Sequence, residues 1–87
     1  MPTKKFHLGQ VVATPAALDA LVAEGTDPIY ILARHVTGDW GDLCHEDKRA
    51  NVDALRCGAR ILSRYGDLYV ITEADRSATT IMLREEY

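Results

Sequence analysis

The sequence predicts an α+β domain, with three short helices packed on one face of a three- or four-stranded antiparallel sheet whose last strands form a C-terminal meander. Three observations carry this. Two successive helix starts, Thr14-Pro15 and Asp27-Pro28, are each followed by an apolar run and a glycine. The apolar period changes from helical to alternating just after Gly58. A glycine-first pair, Gly66-Asp67, then separates two alternating segments.

The elements follow in order. Phe6 to Ala13 is apolar with Gly9 in its middle, as in a short strand or a bent extended arm. Thr14 can cap the first helix, Pro15 suits its first position, and Gly25 stops it. Asp27 and Pro28 repeat the device for a second helix that runs toward Val36, with Gly38 as its expected terminator. A turn-rich loop, Gly38 to Asp42, carries the single tryptophan. A third helix begins near His45, places Glu46 and Asp47 beside the positive end of its dipole, and ends at Cys57-Gly58.

Beyond Gly58, Arg60, Leu62 and Arg64 alternate with Ile61, Ser63 and Tyr65. Leu68 to Thr72 alternates again, which makes a β-hairpin across Gly66-Asp67. Continuing the third helix through Tyr65 would align Arg49, Arg56, Arg60 and Arg64, but Gly58 and the hairpin turn favour strands. Ala74 to Ser77 forms a second turn, and Thr79 to Leu83 is β-branched enough for a third strand. That strand is expected to be an unprotected edge open to pairing, and the N-terminal segment is expected to join the sheet at an edge.

With 87 residues, 47% apolar and 26% charged, the chain has the composition of one ordinary globular domain spanning 1–87. No apolar stretch approaches a membrane span, and no apolar run follows Lys4 and Lys5, so a cytoplasmic location with Cys44 and Cys57 as free thiols is expected. The net charge of −3 conceals a strong asymmetry. Residues 9–47 carry seven acids against Arg34 alone, whereas residues 48–66 carry five bases against Asp53. The acidic half disfavours direct nucleic-acid binding and favours a basic protein partner.

Candidate chemistry is sparse. Cys44, His45, His35, His7 and Cys57 lack the close ligand pairs that structural zinc requires, so neither metal nor cofactor is expected. Cys44 at a helix start could be an activated thiolate, but Glu46 and Asp47 oppose that. Glu73, Asp75 and Arg76 are ordinary turn formers. No phosphate loop or hydrolase motif occurs, and no enzymatic activity is expected. Trp40, between Asp39 and Asp42, is either a lid packed on the core or an exposed anchor for a partner. In the second case Asp39, Trp40 and Asp42 would form an aromatic contact with a charged rim, and Asp19, Glu24 and Asp27 would add to the same field.

Four segments carry a resemblance: Leu8 to Pro15, Ala33 to Gly41, Ile71 to Ser77 and Glu85-Glu86-Tyr87. On these the chain resembles a family of small proteins borne on bacterial plasmids, phages and integrative elements, labelled plasmid-related proteins or subunits of type I restriction enzymes. The second label does not fit the residues, because nothing here could bind a methyl donor. The chain departs from the family by its short Gly66-Asp67 turn and by Cys44 at a cap position. The resemblance implies a part in conflict with host defence, compatible with an anti-CRISPR inhibitor that acts on a type I surveillance complex as an acidic DNA mimic. A monomer or weak homodimer is expected; the alternative is a structural or regulatory accessory protein of a plasmid or phage, dimeric through the edge of its sheet and with no inhibitory role.

Overall fold

The computed structural model describes residues 3–87. It contains β1 (Gln10–Ala13), α1 (Pro15–Glu24), α2 (Pro28–Val36), α3 (His45–Cys57), β2 (Ile61–Tyr65), β3 (Leu68–Thr72), β4 (Ala78–Leu83) and a closing 3-10 turn, Arg84–Glu86. The helix boundaries have the local causes expected. Thr14 Oγ1 accepts from the Ala17 N–H and Asp27 Oδ1 from the Ile29 N–H, each just ahead of a proline. Gly25 and Gly58 end α1 and α3 in the left-handed region. α2 stops one residue before the predicted terminator, at Thr37.

The sheet order is β1-β4-β3-β2, and it is mixed rather than wholly antiparallel. β2, β3 and β4 form the predicted meander, but β1 pairs parallel with β4, with Val11 opposite Thr79 and Ala13 opposite Ile81. This corrects two expectations. The sheet contains one parallel pair, and Thr79 to Leu83 lies between β1 and β3 instead of at an edge. The extended segment at Phe6 also shortens, since only Gln10–Ala13 joins the sheet.

The alternation of each strand sends one set of side chains beneath the helices. Ala17, Leu21, Ile31, Tyr65, Leu68, Val70 and Ile81 form the main core between α1, α2 and that face. A smaller cluster of Trp40, Ala54 and Ile61, flanked by Phe6, Leu43 and Leu55, joins α3 to β2. Arg64 shares the opposite, outward face with Leu62, as the alternation predicts. Among the described residues no helix is long and apolar enough to cross a membrane.

The outer edge of β2 is closed by two devices. The Asn51 side chain of α3 acts as a surrogate strand: its Nδ2 donates to the Leu62 carbonyl at 2.6 Å, and its Oδ1 accepts from the Leu62 N–H at 3.1 Å. Next to it the 40–42 segment runs parallel to β2, with Arg64 N–H donating to the Trp40 carbonyl and Asp42 N–H to the Arg64 carbonyl. Gly41 permits that approach. Its φ is +74°, and a Cβ there would fall 1.9 Å from the Arg64 oxygen.

Replacing Asn51 with Ala should cost about 1–3 kcal/mol, because a part-buried backbone donor and acceptor would lose their partners. Chemical denaturation should show a lower midpoint with an unchanged slope. An unaffected midpoint would mean that Asn51 does not hold the edge.

Candidate functional site

Of the six residues that the sequence singles out, the structure divides three from three. Trp40 is buried at 7% exposure, with its ring stacked against Phe6 at 6.3 Å. It is the lid and not the exposed anchor, because a chain with one Trp and one Phe uses both to fill the gap beneath its N-terminal arm. Asp39 is bound to Arg34 through two hydrogen bonds of 2.7 and 3.2 Å and also accepts from the Gly41 N–H. Its carboxyl is held below the usual range, first by the Arg34 hydrogen bond. Asp42 accepts from the Gly66 N–H at 2.8 Å. These two aspartates fasten the 38–42 loop to α2 and to the β2–β3 turn.

The other three acids do not hold that loop. Asp19 and Glu24 are exposed on α1, and Asp27 is exposed at the start of α2. None of the three forms an ion pair among the described residues, where the pairs are Arg34–Asp39 and Arg84–Asp67. Beside Asp27, Ile29 and Tyr30 are 71% and 61% exposed. Glu24, Thr26 and Tyr30 line a shallow groove of about 230 Å³ whose floor includes Leu21, Ile31 and Tyr65. The groove's one cation, Arg34, is neutralised by Asp39 and lies over the Tyr65 ring at 4.6 Å. Tyr65 is a neutral phenol, which burial pushes further up to about 12, and its hydroxyl donates to the Asp39 carbonyl. The α1–α2 corner is therefore an apolar and aromatic surface in a negative field.

Sequence reasoning missed a buried hydrogen-bond network centred on His35. His35, on the inner side of α2, is completely buried. Its Nδ1 lies 2.6 Å from Ser63 Oγ and its Nε2 2.9 Å from Thr72 Oγ1. Thr72 Oγ1 lies 2.7 Å from Thr79 Oγ1, which donates to the Leu8 carbonyl at 2.7 Å. A carbonyl only accepts, so the single Thr79 proton is committed to Leu8, and the Thr72 proton must go to Thr79. Nε2 therefore carries the histidine proton, and Ser63 donates to an unprotonated Nδ1. The network fixes one tautomer of a neutral ring. Burial, reinforced by the Arg76 charge, lowers the pKa of His35 to about 4. Phe6 and Trp40 close over the ring edge to face, with centroids at 5.1 and 6.1 Å.

This network is structural in its reach: it ties α2 to three strands and to the arm preceding β1. The cysteines lie elsewhere. Cys44 starts α3 without a side-chain cap, and both Cys44 and Cys57 are exposed free thiols. Among the described residues no three His, Cys, Asp or Glu side chains converge as a metal site would require.

Comparison with protein-family models, with curated proteins and with solved structures finds no match to the chain.

Proposed function

We propose that the chain is a non-enzymatic protein-binding inhibitor of a host defence system, and that its target is a type I CRISPR surveillance complex. It would be met in the cytoplasm and engaged as an acidic mimic of DNA. The observation that carries the reading is the α1–α2 corner, where Glu24 and Asp27 have no cation partner and flank the exposed Ile29 and Tyr30. Surfaces that combine an aromatic anchor with uncompensated charge recruit partners of opposite sign and orient them on approach. A lysine- and arginine-rich channel built for nucleic acid has that sign.

Tyr30 takes the role that sequence reasoning offered to Trp40, and Asp19 extends the same field along α1. Asp39 and Asp42 contribute indirectly by holding Arg34 and the 38–42 loop in place, so charge reversal at those two positions would disturb folding together with binding. Purified chain should bind a type I surveillance complex in surface plasmon resonance and reduce its capture of target duplex. An absence of binding to representative type I complexes, with no protection of phage in hosts that carry them, would refute the reading. Tyr30→Ala, an exposed substitution, should weaken binding by about tenfold or more while leaving thermal stability nearly unchanged.

A further inference from the structure

The two edges of the sheet are treated very differently. β2 is closed by Asn51 and by the 40–42 segment. β1 is not closed. Its N–H groups at Gln10 and Thr14 donate to β4-side carbonyls of Ser77 and Ile81, and this parallel register turns the N–H and C=O of Val11 and Ala13 away from the sheet. Among the described residues no backbone group outside the sheet pairs with them.

β1 is short, at four residues, but no charge, proline or bulge interrupts Gln10-Val11-Val12-Ala13. Val11 and Val12, on opposite faces of the strand, are each 42% exposed. Helix α1 adds to the same border. It is apolar nearly all round, yet only Ala17 and Leu21 are buried. Ala20 and Glu24 occupy the flank that faces Leu68 of β3 and Tyr30 of α2. At about 100° per residue, Leu18 and Val22 fall on the other flank, toward β1. They are 44% and 80% exposed.

We infer that a second copy of this chain docks on this border, its Gln10–Ala13 strand antiparallel to the first about a two-fold axis at Val12, so that the two sheets become one. The occupant follows from charge and from hydrogen-bond pattern. In a chain where 26% of residues are charged, the strip made by Gln10 to Ala13 with Leu18 and Val22 carries none. It offers nothing to a basic or an acidic partner and sets no like charges against each other across a dyad. With the axis at Val12, the outward groups of Val11 face those of Ala13 in the other copy, and the reverse, so all four backbone groups on each strand find partners. Val11 lies beside the smaller Ala13 of its neighbour, and the two Val12 side chains meet directly. This border is separate from the Tyr30 groove, which stays open to a partner of either copy.

Sedimentation equilibrium on the full chain across the micromolar range should give twice the chain mass. Val11→Pro removes one outward donor and leaves the bonds to β4 in place, because proline is tolerated where an edge N–H faces solvent. It should halve the mass with unchanged circular dichroism. In a Cys44→Ser, Cys57→Ser background, Val12→Cys should form an intermolecular disulfide on mild oxidation, since facing non-hydrogen-bonded residues sit within disulfide reach. Asp19→Cys, on the solvent side of α1, should not. The cross-link decides the matter if Val11→Pro does not fold. A monomeric wild type, a dimer that survives a folded Val11→Pro, or an absent Val12 cross-link would each overturn the inference.

Discussion

Acidification from pH 6.5 to 4 should destabilise the protein by a few kcal/mol through His35 alone, because burial holds its native pKa at about 4. The sign follows from which form is folded. The native state holds a neutral ring whose pKa is about 4, whereas the unfolded chain titrates near the ordinary value of 6.5. Between those values the unfolded state binds the extra proton, so stability is fully present above pH 6.5 and is lost as the pH falls toward 4. Protonating Nδ1 would also confront it with the Ser63 proton, and Ser63 would have to turn its hydroxyl elsewhere.

The charged group that acts on the ring from outside is Arg76, whose guanidinium also donates to the Ala54, Ala59 and Glu73 carbonyls. Urea denaturation of the wild type and of His35→Gln as a function of pH isolates the effect. The wild type should lose stability steeply over this interval, and the variant, less stable at pH 7, should show a much flatter profile. Parallel profiles would mean that His35 does not titrate on unfolding. Nitrogen chemical shifts should independently show Nε2 protonated and Nδ1 bare.

Trp40→Ala should be the most damaging single truncation in the smaller core, at about 3–5 kcal/mol. The indole fills the space between Phe6, His35 and Ile61, and its loss would open a cavity beside the buried imidazole. For a domain of this size that corresponds to a fall in melting temperature of about 15 °C or more. Trp40→Phe should recover much of the loss, because the backbone carbonyl that accepts from Arg64 is unaffected and an aromatic face remains against Phe6. Differential scanning calorimetry on the pair distinguishes this from an exposed role, in which both substitutions would leave the melting temperature nearly unchanged.

The helices and the meander were legible because their signals are local. Thr14-Pro15, Asp27-Pro28, Gly25 and Gly58 act within one turn of chain, and the alternation from Ile61 to Thr72 needs only its own hairpin. The parallel pairing of β1 with β4 joins segments more than sixty residues apart, and nothing local distinguishes that partner from β2 or from solvent. The hydroxyl network illustrates the same limit. Ser63, Thr72 and Thr79 are unremarkable singly, but the alternation puts each on the face otherwise filled by Ile61, Tyr65, Val70 and Ile81. Polar residues at inward positions of three strands are a signal that a buried donor or acceptor awaits them. Only the register, which sets Thr72 opposite Thr79, shows that one histidine satisfies them together, and every buried side-chain polar atom among the described residues has its partner.

The placement of the candidate site's acids was partly legible for a related reason. Acid count along the chain identified the negative half, but it could not separate acids that bond backbone N–H groups from acids that do not. Asp39, Asp42 and the capping Asp27 make such bonds although all three are exposed, while Asp19 and Glu24 make none. This separation makes a charge-reversal experiment interpretable, because Asp19→Lys with Glu24→Lys leaves every cap and loop contact in place.

Association of these variants with a type I surveillance complex, followed by surface plasmon resonance at low and high salt, tests the account most directly. Asp19→Lys with Glu24→Lys should slow association by about tenfold or more at low salt, with the difference from wild type shrinking as salt rises. Arg60→Glu with Arg64→Glu, the first just before β2 and the second on its outward face, should bind at least as fast as wild type. Both variants should retain wild-type circular dichroism. The reverse ranking, with the arginine variant impaired and the acidic variant unaffected, would assign binding to those arginines and contradict the account.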